Sequence, residues 1–439
     1  MSANKQQGSI IAIITMFFLY AMISFVTNLG APIGVIWKNI FDNSNTVGTL
    51  GTLMNFAAYL FMGIPAGKML INFGYKKTAL IGIATGFVGV FIQFLSGKVD
   101  PTTGAILGLS IYLLGAFISG FSVCMLNTVV NPMLNLLGGG GNRGNQLNMI
   151  GGTLNSLSGT LTPMLVGALI GTVTAQTQLA DVSLVMYIAM GVFAAAFIIL
   201  LFIPIQDPEM GKATKDTVFE HSPWAFRHFV LGTIAIFVYV GVEIGLPQTL
   251  NFYISDKSNV AGLTGDYVLR AATIGGFVAG TYWLLMLVGR MVSASIADKV
   301  SSRMMMICTT SIGSILIIAA MLLGKSAMVN MPVFTGSNFE MVQVPIAAML
   351  IVLCGLCTSV MWTSIFNLAT EGLGKYSAAG AGIFMMMVVG GGLLPFLQGF
   401  LADKIGYMLS YIVPLCAMLY MLYYALIGCK NVNKDIPVD

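Results

Sequence analysis

Gly67-Lys-Met-Leu-Ile-Asn-Phe-Gly74-Tyr-Lys76-Lys77 and Ala294-Ser-Ile-Ala-Asp298-Lys299-Val-Ser-Ser-Arg303 are the two stretches that decide the fold of this chain. Each is a short basic interruption between long apolar runs, and the two lie about half a chain apart. Outward from them, apolar runs fall near 9–37, 46–71, 78–96, 104–136, 145–173, 184–205, 228–254, 268–297, 304–323, 343–369, 376–401 and 408–428. Each is long enough for one bilayer crossing at roughly 20 residues per helix. The first basic stretch follows the second run and the other follows the eighth. Matching marks at matching places predict two six-helix halves related by a parallel repeat. The longest polar stretch, 206–227, divides the runs six and six. The expected organisation is therefore a first bundle over 1–205, a linker over 206–227 and a second bundle over 228–439.

Composition agrees. Of 439 residues, 57% are hydrophobic and 8% are charged, against about 25% charged in soluble domains. Strands are excluded because barrel strands alternate lipid-facing and lumen-facing residues, whereas segments such as 194–201 are apolar on every face. The fold class expected is an all-α membrane protein with twelve transmembrane helices. The polar N-terminus lacks a small-residue cleavage site, so the first run reads as a retained helix. An even number of spans puts both termini on one side, and basic residues favour the cytoplasm for that side. That assignment places Lys5, Lys76, Lys77, Arg143, Lys212, Lys215, Arg227, Lys299, Arg303, Lys375, Lys430 and Lys434 inside, against Lys38, Lys98, Lys257, Arg270, Lys325 and Lys404 outside.

The net charge of +4 is dispersed, with no like-charge block longer than Lys76-Lys77, so the bilayer is an expected partner and nucleic acid is not. Cys354 and Cys357 form a C-x-x-C, but they lie in an apolar run with no His near in sequence, which reads as packing. Gly138–Gly141 is followed by Asn142-Arg143 and not by Lys-Ser/Thr, so it is no phosphate loop. No cofactor, metal or nucleotide is expected, and no catalytic constellation marks an enzyme.

The Gly-x-x-x-Asp-Arg/Lys-x-Gly-Arg/Lys-Arg/Lys pattern between helices 2 and 3 resembles the hallmark of the major facilitator superfamily. The first copy keeps Gly67, Gly74, Lys76 and Lys77 but has Ile71 in place of the Asp; the second keeps Asp298, Lys299 and Arg303. A third copy runs from Gly399 through Asp403-Lys404-Ile-Gly406. Residues 17–32, 64–77, 127–138, 239–243, Tyr282-Trp283, Gly289-Arg290 and 385–403 also resemble the fucose–galactose–glucose proton symporter family. The resemblance implies a monomeric secondary carrier of a neutral monosaccharide in a bacterial inner membrane, coupled to a proton or sodium and working by alternating access. Uniport, carriage of a sugar derivative or other small solute, and sugar sensing are the alternatives. The family's fucose symporter has carboxylates on helices 1 and 4; the matching positions here are the amides Asn28 and Asn127, which puts coupling through those two places in question.

A charged side chain at mid-helix costs about 2.5–3.5 kcal/mol on insertion scales. Glu243 is the one carboxylate mid-span; it reads as a sugar-hydroxyl acceptor, a proton carrier or a cation ligand, or as a protonated acid tying helices together. Arg290 lies about 10–12 Å nearer the cytoplasm on straight-helix geometry, which predicts no close salt bridge and assigns it to a gate or to snorkelling. Amides both donate and accept, as sugar hydroxyls do. Asn28, Asn127, Asn155, Gln248, Asn251 and Asn367 are thus candidate substrate contacts, or interhelical ties. Tyr282, Trp283 and Trp362 offer rings for a pyranose face, or core packing. Gly390–Gly392 with Pro395 marks a candidate hinge in helix 11. The gating set is Gly67, Gly74, Lys76, Lys77, Arg290, Asp298, Lys299 and Arg303.

Overall fold

A computed structural model describes residues 3–137, 141–170, 177, 179–203, 221–256, 270–296, 300–334, 338–373, 376–433 and 436. Residues 206–220 of the linker, the turn at 138–140, and the motif residues Asp298 and Lys299 lie outside the described residues. Among the described residues, eleven helices are long and apolar enough to cross a membrane: α1 (Ile10–Ile40), α2 (Asn45–Leu70), α3 (Asn72–Ser96), α4 (Thr103–Asn131), α6 (Ser183–Phe202), α7 (Arg227–Ser255), α8 (Ala271–Ser293), α9 (Ser302–Leu323), α10 (Ile346–Thr370), α11 (Gly382–Ile405) and α12 (Tyr407–Gly428). Between α4 and α6 runs α5 (Gly141–Ile170), 30 residues long and rich in Asn, Ser, Thr and Gly. The twelve helices place the chain termini at one end of the bundle (the terminal end) and the α1–α2 connection at the other (the far end).

Glycine sets two of the turns. Gly74 joins α2 to α3 at φ 79° and Gly406 joins α11 to α12 at φ 87°, values open to glycine at little steric cost. Each is followed by a tyrosine, Tyr75 or Tyr407. The basic residues of the repeated motif have a local task as well. Lys76, at the start of α3, donates from Nζ to the carbonyls of Leu201 and Ile203 at 2.9 and 2.8 Å. Arg303, at the start of α9, donates to the carbonyls of Ala425 and Leu426 at 2.8 and 2.7 Å. In both cases a cation satisfies the free carbonyls of a helix C-terminus, where the helix dipole also favours it. Lys77 is exposed, and a Cβ added at Gly67 would meet nothing within 4 Å.

Helices of the first six meet helices of the last six along two seams. On α5–α8, Gly167 faces Ala272 and Gly276, while Gly280 faces Thr160. On α2–α11, Gly399 faces Asn45 and Thr49, Gly392 faces Leu53, and Gly391 faces Phe56. Small residues let the backbones approach this closely. The Gly390–Gly392 run has the same cause: a Cβ on Gly390 would sit 1.9 Å from the Phe237 carbonyl oxygen. The turn just before it, Met387–Val389, is a 3₁₀ segment.

One element departs from the all-helical expectation. The segment between α9 and α10, read from sequence as a plain loop, is an antiparallel hairpin of β1 (Met328–Phe334) and β2 (Phe339–Pro345). β1 alternates in burial with the period of two expected of a strand, with Met331 and Val333 turned inward, while β2 is exposed over its first half and buried at Val344 and Pro345.

Candidate substrate and coupling site

Glu243 and Arg290 stand 3.3 Å apart, 12% and 20% exposed. The sequence expectation of no close salt bridge is thus corrected. The physical reason is the direction of the side chains. In a helix every Cα–Cβ bond leans toward the N-terminus. α7 runs from the terminal end to the far end and α8 runs back, so Glu243 leans down and Arg290 leans up. Two long side chains then close a gap that helix rise alone leaves open. Arg290 also donates from Nη1 to the Gly152 carbonyl at 2.7 Å and to Ser156 Oγ at 2.9 Å, both on α5. One guanidinium therefore ties a carboxylate of the second six helices to the backbone of the first six.

Above this pair lies a narrow central cavity lined in part by Asn28, Thr52, Pro163, Pro247, Gln248 and Trp283. Local sequence explains two of its walls. Pro32 has no N–H for the carbonyl of Asn28, and Pro247 has none for that of Glu243; α1 is indeed interrupted at Leu29. Asn28-Leu-Gly30-Ala-Pro32 and Glu243-Ile-Gly245-Leu-Pro247 share one pattern on the first helix of each six. This shared pattern is a signal in the sequence, beyond the motif loops, that relates Asn28 to Glu243.

The structure brings Asn28, Gln248 and Trp283 together at the cavity and spreads the other candidates around it. Asn28 donates to the Ser24 carbonyl at 2.9 Å. Gln248 is 1% exposed, and neither its nitrogen nor its oxygen has a protein partner. Asn251, also buried, accepts from Ser255 Oγ at 3.1 Å while its Nδ2 is unpartnered. Asn127 donates to Tyr59 Oη at 2.7 Å, and Asn155 reaches the Tyr20 carbonyl at 3.5 Å. Tyr282 is fully buried and shares a 2.8 Å hydrogen bond with Thr358; its ring meets Trp283 edge-on at 5.7 Å. Trp362 packs against Tyr239 and Phe384, at 6.3 and 5.9 Å. Asn367 is exposed three residues before the end of α10.

At the far end lies a polar cluster, of which Lys38 reads in the sequence as a loop charge and Asp403 as a motif residue. Lys38 of α1, 3% exposed, pairs with Asp256 at 3.4 Å and bonds the Tyr407 hydroxyl. It also lies over the rings of Tyr407 and Phe252 at 4.9 and 5.7 Å. Tyr407 in turn donates to Asp256 at 2.9 Å. Beside it, Asp403 of α11 accepts from the backbone N–H groups of Asn45 and Thr46 at 2.7 and 2.8 Å, and from the hydroxyls of Ser44 and Thr46 at 3.0 and 2.6 Å. A carboxylate from one half of the chain thus caps a helix N-terminus in the other, where its charge meets the helix dipole.

Two sets of six helices around a narrow central cavity of mixed polar and apolar lining, with a buried ion pair below it and a polar cluster at the far end, are the build of a membrane carrier and not of an enzyme. The family model described as Major Facilitator Superfamily matches residues 13–394, and the chain belongs to that superfamily. It is 28% identical to a glucose/galactose transporter of Brucella abortus, over 98% of this chain and 96% of the relative. An L-fucose-proton symporter of Escherichia coli is 22% identical over 89% of this chain and 86% of the relative. The E. coli fucose:proton symporter structure superposes with a TM-score of 0.64 at 17% identity, covering 96% of this chain and 99% of that one.

The ion pair makes a prediction for stability. Breaking a buried pair by removing one partner costs about 3–5 kcal/mol, while removing both leaves no orphan charge. Arg290→Gln should therefore lower the unfolding temperature in detergent more than the double variant Arg290→Gln/Glu243→Gln does. Equal destabilisation of the single and the double variant would show that the two charges do not depend on each other.

Proposed function

We propose that the protein carries a neutral hexose across a bacterial inner membrane by alternating access, driven by a proton that Glu243 binds and releases. The observation that supports this best is the buried, unpartnered amide of Gln248 at the cavity wall. A buried amide left unpaired costs about 1–3 kcal/mol, and sugar hydroxyls both donate and accept. Asn28 and the Trp283 ring stand beside it and complete a surface suited to a polar edge and an apolar face. The names of the relatives point to the same substrates. Asn127 and Asn155, on α4 and α5, hold lesser contacts in this account.

Glu243 lies just below the cavity, one turn before Pro247. Protonation would release Arg290 from Glu243 and leave it bonded to α5, so proton occupancy changes what holds the guanidinium that joins the halves. With both termini in the cytoplasm, the far-end cluster of Lys38, Asp256, Tyr407 and Asp403 is the outer gate, and the protein as described is shut to the outside. A single chain contains the whole site, which fits a monomer. The amides at positions 28 and 127 support uniport as a second reading.

Proteoliposomes given glucose, galactose or fucose, with an imposed proton or sodium gradient, separate these readings. Uphill accumulation of a hexose under a proton gradient is expected. Glu243→Gln should abolish accumulation and leave sugar counterflow largely intact. Accumulation that survives in this variant would remove Glu243 from coupling; none in the parent under either gradient would make the protein a uniporter.

The outer gate has its own test. Asp403→Ala, combined with Lys38→Ala, should speed labelling of a cysteine at Thr52 by a membrane-impermeant maleimide added outside. An unchanged labelling rate in this double variant would mean that the cluster does not hold the outside closed.

A further inference from the structure

The β1–β2 hairpin has two unlike faces. On the inner face Val333 and Val344 are fully buried and Met331 nearly so. Glu340, the cross-strand partner of Val333, is held by Arg270 at 3.0 Å, at the start of α8. The other face pairs Phe334 with Phe339, Pro332 with Met341 and Asn330 with Gln343. None of these six is charged, yet Phe339 is 70% and Met341 65% exposed. An exposed apolar patch of this kind marks a contact surface, and its position says with what.

The Phe339 ring meets Phe277 edge-on, with centroids 6.1 Å apart. Phe277 lies six residues past Ala271, the first residue of α8, or roughly 9 Å along the helix at 1.5 Å per residue. The hairpin therefore lies against the flank of the bundle, at the depth of the first turns of α8, and not above the helix ends. Its free face is also continuous with apolar surface on both sides in sequence. Leu322 and Leu323, at the end of α9, are 80% and 41% exposed, and Met349, at the start of α10, is 44% exposed. Those residues are apolar, exposed and within helices long and apolar enough to span, which suits a lipid-facing surface.

We propose that the Phe334–Phe339–Met341 face of the hairpin is seated in the lipid interface of the leaflet at the far end, with lipid as its occupant. Uncharged aromatic and apolar side chains suit that zone. Because the hairpin is continuous with α9 and α10 and braced on α8, its lipid contact anchors the far ends of three helices of the second six.

The test uses the whole protein in liposomes, with Cys308→Ser and Cys416→Ser removing the two exposed cysteines. A nitroxide is placed at Met341→Cys and, in a separate sample, at Gln343→Cys on the same face. Collision with oxygen, which concentrates in lipid, should exceed collision with a water-soluble nickel chelate at position 341. Greater access by the nickel chelate at both positions would place the face in water and overturn the proposal. Spin–spin broadening at 341 would also overturn it, because the occupant would then be a second copy of the chain. Should Met341→Cys fail to fold, the oxygen-to-nickel comparison at Gln343 decides alone.

Discussion

A carboxylate and a guanidinium held together inside an apolar bundle constrain much of what surrounds them. Alone, a charge at mid-helix costs about 2.5–3.5 kcal/mol on insertion scales; here each offsets the other. Arg290 has donors to spare after Glu243, and they go to the Gly152 carbonyl and Ser156 Oγ. That requirement shapes α5, which presents Gly152, Ser156, Gly159 and Pro163 at helical spacing toward α8. Gly159 leaves just enough room for the Trp283 ring and the Asn28 amide, whose atoms would lie 3.2 and 3.3 Å from a Cβ there. α5 thus meets the needs of the ion pair with one backbone carbonyl and one hydroxyl, within a helix that is rich in Asn, Ser, Thr and Gly over its 30 residues.

The internal repeat distributes tasks between the halves unequally. Lys76 and Arg303 do the same work, each closing the C-terminus of the last helix in its own six. Asn28 and Glu243 occupy the same place before a proline, yet only one of them titrates. The polar cluster at the far end has no counterpart in the basic motif loops; it joins α1 to α7 and α12, and α11 to α2, through Lys38 and Asp403. The far-end contacts of Lys38 and Asp403 thus lie where the two sixes meet, while those of Lys76 and Arg303 lie within each six.

Much of the architecture was legible in the sequence because the bilayer enforces it. Apolar length gave the helices, and the glycines of the motif marked turns whose positive φ the structure shows at Gly74 and Gly406. Glu243 stood out as a lone mid-span carboxylate. What the sequence hid depended on direction and not on composition. Counting helix rise separated Glu243 from Arg290, because the count ignored the opposite lean of side chains on antiparallel helices. Lys38 and Asp256 are 218 residues apart; Lys38 read as an ordinary loop charge, and nothing in the pattern singled out Asp256. The hairpin was missed because a period of two over seven residues is brief beside the long apolar runs around it. Asn367, by contrast, looked like the other amides, and only its exposed position on α10 distinguishes it.

The central claim is that sugar and proton share one cycle through the Glu243–Arg290 pair. Its most direct measurement is the pH of a weakly buffered suspension of proteoliposomes when glucose or galactose is added without any imposed gradient. The account predicts that the sugar draws protons into the vesicles, so the medium turns alkaline, and that a proton ionophore abolishes the signal. Sugar entry with no change of pH would contradict it.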